Sequence, residues 1–410
     1  MAKAPAHLTA KAALSTQLIH HPYKAPADFD SAAVGVHKAS TVIFPSVAAM
    51  RSRTWTDKSA YTYGLHGTPT TFTLEERLAT AEGGKHCILV PSGLAAIALV
   101  DLALLQAGDH VLIPDNAYGP GKDFASVELA KWDVQCEYFD QQQPGDLAAR
   151  ITPKTRLVWL EAPGSVTLEF PDIPALVAVV AAANEARAAE GANRSIVTAL
   201  DNTWGAGVAF KPFDLGVDIS MQALTKYPSG GADVLMGSVV TQDADLHHAM
   251  LMTHMRLGLA VAANDAELVL RGLASMPLRY QRQDATTQAL AQWACTQNAF
   301  EAVLHPALPG SPGHNAWRRD CTGAACLLTV VFQASFTPAQ VDAFCDALQL
   351  FQLGYSWAGP MSLVVPYNMA GMRERAWPHA GGVVRFAIGL EDASDLQADI
   401  ERALAHMLLA

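Results

Sequence analysis

A chain of 410 residues with a formal charge of −11 and only 16% charged residues carries no basic stripe that could track a phosphate backbone, which argues against nucleic acid as a partner. Half the residues are hydrophobic, yet an apolar tract such as Ala175 to Ala183 falls short of the roughly 20 residues a bilayer span needs, and Asn184-Glu185 closes it, so no membrane segment is expected. Six cysteines without a C-x-x-C pairing, and an N-terminus without a continuous apolar stretch, point to reduced thiols, no zinc site and a cytoplasmic location.

Residues 1–60 alternate helix-like and irregular stretches and read as an N-terminal arm. From 61 to 255 short apolar runs alternate with longer helical tracts, the signature of a βαβ layered domain. The pattern predicts a helix over 70–81, a strand over His86–Val90, a helix over 93–105, a strand over His110–Ile113 and a helix over 121–132. Strands follow at 134–139 and 157–160, then a helix over 173–190 with Asp172 as N-cap and Gly191 as stop, and strands at 196–200 and 219–223. Beyond 255, helical tracts at 265–272 and 280–305 give way to strands at 326–333 and 383–388 and a last helix at 395–409, so 256–410 reads as a smaller α+β domain. Open parallel sheets gather ligands at the carboxyl ends of their strands, where Asp201 and the turn Glu161–Ser165 both fall.

Lys226 follows one apolar run, and Asp201 ends another 25 residues upstream. A lysine amine can form a Schiff base with an aldehyde, and a strand-end carboxylate can hold a pyridine nitrogen protonated, the two groups pyridoxal phosphate chemistry needs most. The bland alternatives are a surface lysine and a helix N-cap or Asx turn. Val90-Pro91-Ser92-Gly93-Leu94 is a strand end passing through small residues into a helix, whose amides and dipole could hold a phosphate. Tyr118 follows the strand 110–113, where it could stack on an aromatic cofactor and relay protons, or simply pack its ring. Thr225 could donate to the same phosphate. Arg385 interrupts an apolar strand and needs an anion: a substrate carboxylate for its bidentate fork, or a structural salt bridge.

Several segments carry a resemblance. Asp201-Asn202-Thr203-Trp204, Thr225-Lys226-Tyr227, Tyr355-Ser356-Trp357 and Arg385-x-x-Ile388-Gly389-Leu390-Glu391-Asp392 resemble the Cys/Met-metabolism PLP enzymes from about residue 12 to the C-terminus. Glu161-Ala162-Pro163-Gly164-Ser165, Arg271-Gly272-Leu273 and the stretch Val303–Ser311 are similar to its bacterial cystathionine β-lyases. The resemblance implies an α/β protein of PLP fold type I, aspartate-aminotransferase-like, with a mostly parallel seven-stranded sheet, a smaller C-terminal domain and an arm. It further implies β-elimination from an amino-acid substrate, with γ-elimination, γ-replacement or desulfuration of small cysteine derivatives as alternatives. A homotetramer of two intimate dimers, its sites shared across the dimer interface, is also implied.

By this likeness Lys226 is the cofactor lysine, Asp201 the ring-nitrogen partner and Tyr118 the stacking residue. Ser92, Gly93, Leu94 and Thr225 contact phosphate, Tyr63 reaches in from a neighbouring copy, and Ser356, Trp357 and Arg385 bind substrate. Three positions depart from the family pattern: Leu65 stands where an arginine for the cofactor phosphate is usual, Ala223 where serine is frequent, and Met361 where Gly-x-Glu-Ser-Leu is usual. His66, beside Leu65, offers only a partial charge near neutral pH.

Overall fold

A computed structural model describes residues 31–409, so the first thirty residues of the expected arm, with the pair His20-His21, lie outside the described residues. Seven strands form the larger sheet: β1 (His86–Val90), β2 (His110–Pro114), β3 (Gln135–Phe139), β4 (Thr155–Glu161), β5 (Val197–Asp201), β6 (Ile219–Ala223) and β7 (Gly237–Thr241). Their order is β1-β7-β6-β5-β4-β2-β3. Every neighbouring pair is parallel except those of β7, which runs antiparallel to both β1 and β6. The mostly parallel seven-stranded sheet of fold type I is therefore present.

The strands read as unbroken apolar runs because both faces of the sheet are covered. Strand residues alternate between faces with period two. Val111, Ile113, Leu157, Trp159 and Ala199 pack with Ile97, Leu99 and Val100 of α2 (Gly93–Leu104), which follows α1 (Pro69–Glu82) in the chain. Leu112, Val158, Leu160 and Leu200 pack on the opposite face with Leu176 and Val180 of α3 (Ile173–Ala189). That second core continues without a break into Phe332, Phe344 and Phe386 of the C-terminal region.

The C-terminal sheet has the order β10-β11-β12-β9-β8, built from β8 (Phe300–Leu304), β9 (Leu327–Phe332), β10 (Gln352–Leu353), β11 (Leu363–Tyr367) and β12 (Val383–Ala387). After α4 (Ala244–Leu257), the 32-residue helix α5 (Ala263–Ala294) joins the two sheets. Helices α6 (Pro338–Ala347) and α7 (Ala393–Leu409) cover the smaller one.

Three expectations need correction. The tracts 265–272 and 280–305 are one helix as far as Ala294, running through Pro277. An internal proline costs about 3 kcal/mol or more, but Val269, Leu270, Met276, Tyr280 and Leu290 are all buried along that helix and hold it together. Residues 300–304 form β8 rather than the end of that helix, because a short apolar run fits either period. The expected helix 121–132 is instead a short helix Gly119–Asp123, a wide turn Phe124–Glu128 and a tight 3₁₀ turn Leu129–Trp132 that ends on Asp133 at φ 59°. Strand β7, which the apolar pattern misses, begins at Gly237, where an added Cβ would lie 2.3 Å from the Ser92 carbonyl oxygen. It brings the Ser92 turn against the sheet.

Candidate active site

The carboxyl ends of β4 and β5 and the turn after β6 open onto a cavity of about 550 Å³. The structure brings Lys226, Asp201, Tyr118, Arg385, Ser356 and Trp357 to its wall. Ser92, Gly93, Leu94 and Thr225 line it as well. Tyr63 does not; it is 49% exposed, next to the 3₁₀ turn Gly64–His66.

Lys226 sits three residues past the end of β6, in a turn clamped from behind by α5. Arg279 donates to the Tyr227 carbonyl at 2.7 Å and to the Gly272 carbonyl at 2.9 Å. Gly272 is glycine because a Cβ there would meet Pro228 O at 2.2 Å and Ser229 O at 2.4 Å. The Lys226 Nζ donates to Ser356 Oγ at 2.9 Å and stands 5.4 Å from the Trp357 ring centre. Burial, reinforced by the Arg385 charge, pulls the amine down to a pKa of about 8.

Asp201 ends β5, in register with Glu161 on β4 and Met221 on β6. Its Oδ1 accepts from Thr203 N at 2.9 Å, and Thr203 Oγ1 accepts from Ala223 N at 2.9 Å, so the aspartate turn is tied to the strand leading to the lysine. Burial raises the carboxyl pKa, while the Thr203 hydrogen bonds and the Lys226 charge oppose that rise. The Asx-turn geometry read as the bland alternative is thus present, but at the wall of the cavity.

Ser92 caps α2, its Oγ accepting from Ala95 N at 3.0 Å. The next two amides, of Gly93 and Leu94, have no acceptor within their own helix. Gly93 approaches β6 so closely that a Cβ would lie 2.6 Å from the Ala223 Cβ, which explains why both positions are small. Thr225 Oγ1 takes only a long contact, 3.5 Å from Met236 N.

Arg385 lies at the centre of β12, 6% exposed, donating to Ser165 O at 3.2 Å and sitting 5.2 Å from the Tyr367 ring centre. No acidic side chain forms an ion pair with it among the described residues, so the structural-salt-bridge alternative finds no partner there. Lys226 and Asp201 likewise form no ion pair among the described residues. Unpaired charges drawn out of water are costly unless something compensates them, and buried Arg385 shares one cavity with half-buried Lys226 and Asp201.

Those charges suit pyridoxal phosphate: an amine for its aldehyde, an anion for its ring nitrogen and a helix start for its phosphate. The cradle at Gly93 and Ala223 admits no larger side chain without a shift. The phosphate end has no cation among the lining residues named here. His66 does not supply one from the Leu65 turn: its ring stacks on Trp55 at 4.5 Å, its Nδ1 lies 2.9 Å from Thr62 Oγ1, and burial and the Arg53 charge lower its pKa. Met361 is exposed and outside the cavity.

Sequence reasoning set Glu161 at a ligand-gathering strand end and Thr203 in a family motif but gave neither a role, and it missed Tyr367. Glu161 obeys the same strand-end rule that singled out Asp201, one residue past where the apolar run stops. Tyr367 had no such signal, because its strand β11 is interrupted by Pro366. No group of three His, Cys, Asp or Glu side chains among the described residues could hold a metal, and His247 stacks on His86 at 4.6 Å.

The model of the family described as Cys/Met metabolism PLP-dependent enzyme matches residues 15–405. A cystathionine beta-lyase of Bordetella avium is 39% identical, covering 94% of this chain and 96% of its own. One of Escherichia coli is 36% identical, covering 91% and 93%. Among solved structures, the cystathionine gamma synthase from Xanthomonas oryzae pv. oryzae in complex with aminoacrylate and cysteine superposes with a TM-score of 0.83 at 28% identity, covering 94% of this chain and 95% of that one. A match running almost end to end, on a chain whose lysine, aspartate and arginine share one cavity, places it in a single group: the chain belongs to the Cys/Met metabolism PLP-dependent enzyme family.

Proposed function

We propose that this enzyme cleaves the Cβ–S bond of L-cystathionine or a related cysteine S-conjugate, releasing a thiol (homocysteine from cystathionine), pyruvate and ammonia. The convergence of Lys226, Asp201 and Arg385, each without an ion-pair partner among the described residues, carries the reading. The names of the relatives from Bordetella avium and Escherichia coli support it. When bound, pyridoxal phosphate supplies an aldehyde for an amine and a ring that accepts the electron pair left at a substrate Cα.

The chain's own groups do the rest. Arg385 takes the substrate carboxylate in its planar fork and so fixes which Cα bond is aligned for cleavage. Lys226, with its amine tuned to about 8, takes the Cα proton as general base. Asp201 keeps the ring nitrogen protonated. Tyr118, on the cavity wall, would stack on the cofactor ring when it is bound; it, Tyr63 or Lys226 returns a proton to the leaving thiolate. Ser356 holds the lysine amine at 2.9 Å, and Trp357 walls the substrate side. Ser92, Gly93, Leu94 and Thr225 hold the phosphate.

The test is a product assay on cystathionine, cysteine, cystine and homoserine esters. Pyruvate from cystathionine is the expected keto acid; 2-oxobutyrate would replace this reading with γ-elimination, the alternative that likeness to a γ-synthase structure keeps in view.

The same reading divides the chain into an arm (1–60), a cofactor domain (61–255) and a C-terminal domain (256–410), supported by the two sheets falling within 86–241 and 300–387. It also makes the enzyme a homotetramer of two dimers. Exposed Ile43, Val47 and Met50, on the segment whose Thr41 bridges Tyr63, support an arm that packs on a second copy and delivers Tyr63 to that copy's cavity. No helix among the described residues is long and apolar enough to cross a membrane. All six cysteines are free, which supports a cytoplasmic location.

Because Leu65 lies two residues past Tyr63, Leu65→Arg is expected to place a cation near the neighbour's phosphate. PLP retention on dialysis should tighten about tenfold, the worth of one charge-assisted hydrogen bond. Unchanged retention would mean that another group already balances the phosphate.

A further inference from the structure

Glu161 is the one carboxyl of the cavity to which nothing above gives a role. It ends β4 directly beside Asp201 on β5, at paired register positions of two parallel strands. Period two puts its side chain on the face of Trp159 and that of Asp201 on the face of Ala199, and those two residues share one core. Both carboxyls therefore come to the same wall.

No cation pairs with Glu161 among the described residues. Lys122, one turn along, spends its amine on the carbonyls of Asp115 at 2.7 Å and Met372 at 2.9 Å. Glu161 Oε2 accepts instead from the backbone N–H of Tyr118 at 2.7 Å. That is a long-range tie, from a strand end to the loop that carries the tyrosine. The short helix that starts at Gly119 has no side-chain cap of its own at Tyr118, so this bond is what anchors its start.

We propose that Glu161 is the residue that positions Tyr118 for the proposed reaction, through its backbone, and that Asp201 is the single anion of the cavity. The inference rests on that functional reading for the role of Tyr118 alone. Two neighbouring carboxyls, neither ion-paired among the described residues, cannot both ionise cheaply, and the one with fewer compensating groups keeps its proton. Asp201 has the Thr203 bonds and the Lys226 charge; Glu161 has burial and the Asp201 charge driving its pKa well up, against one amide and the more distant Lys122. The neutral Glu161 carboxyl can accept from Tyr118 N on one oxygen and still present an O–H on the other.

Glutamine reproduces that pattern of one acceptor and one donor without charge, so Glu161→Gln and Glu161→Ala separate the possibilities. The readouts are the PLP dissociation constant of the apoenzyme, by protein fluorescence, and the pH titration of the bound cofactor's visible band, neither of which depends on the substrate. In Glu161→Ala, PLP binding should weaken about tenfold and the band should shift as Tyr118 loses its anchor. Glu161→Gln should bring affinity back to within about threefold of the parent and keep the parent titration midpoint. Parent-like affinity and band in Glu161→Ala would overturn the positioning role. A Glu161→Gln protein as damaged as the alanine variant, or with a displaced midpoint, would show that an ionised carboxylate is needed and overturn the assignment of Asp201 as sole anion. If Glu161→Ala does not fold, the folded glutamine variant decides alone by the same two readings. Loss of the β-elimination reading would appear instead in the parent enzyme's products.

Discussion

Lys226→Ala should abolish thiol release, lowering pyruvate formation at least about a thousandfold, because it removes both the covalent anchor of the cofactor and the general base. The visible band of the lysine-bound cofactor should vanish, and borohydride should no longer fix the cofactor to the chain. The fold should survive: the side chain makes one hydrogen bond, to Ser356, and its turn is held by Arg279 through the Tyr227 carbonyl. The lysine's environment adds a pH signature. An ordinary lysine is almost wholly protonated near neutrality, but burial and Arg385 bring this one to about 8. Lowering an amine's pKa populates its nucleophilic, uncharged form at lower pH, so the rate of PLP capture by apoenzyme should rise through pH 8 and level off above it. A rate still climbing toward pH 10 would mean that the amine is not tuned; an active alanine variant would remove Lys226 from the mechanism.

Much of this site was legible because strand ends in a parallel sheet are marked twice, by an apolar run and by the polar residue that stops it. Asp201 and the turn to Lys226 carry both marks, and the structure puts them on one cavity. Arg385 was legible for a different reason: a charge inside an apolar strand must answer to an anion, and none is paired with it among the described residues. What the sequence concealed lies in tertiary contacts. Glu161 looked like the first residue of a turn until the register of β4 against β5 set it beside Asp201. Arg279 reads as an ordinary charge on a helix 53 residues past Lys226, yet it ties the lysine's turn to that helix, donating to the Tyr227 carbonyl of the turn and to the Gly272 carbonyl of its own helix. Strand β7 has a glycine and a serine among its five residues, so its apolar content is low, and it is buried only because β1 and β6 flank it. Helix α5 and strand β8 were confused because five apolar-rich residues cannot declare their period. Tyr63 is the instructive case of the opposite kind. The family pattern assigns it to a neighbouring copy, and within one chain it stands exposed outside the cavity, so a single chain gives it no part in the site.

Asp201→Asn should keep the cofactor and lose the reaction. Asparagine retains an oxygen to accept from Thr203 N, so the turn, the Thr203–Ala223 tie and the shape of the wall are preserved. What disappears is the negative charge. Removing one partner of a buried charge pair costs roughly 3–5 kcal/mol, and a loss of about 2.7 kcal/mol in transition-state stabilisation is already a hundredfold in rate. Turnover is therefore expected to fall at least about a hundredfold, while the lysine-bound visible band remains and substrate still perturbs it. The split matters more than the size of the loss. A variant that fails to bind cofactor would make Asp201 an anchor, and one that turns over near the parent rate would leave the ring without its proton-holding partner. The prediction also bears on Glu161, because the two carboxyls share one wall. If Asp201 is the only anion there, converting it to an amide should lower the pKa of Glu161, since the charge that discouraged its ionisation has gone. In that background the visible band should titrate at a lower pH, and adding Glu161→Gln should abolish the new transition, a coupling that independent sites would not show.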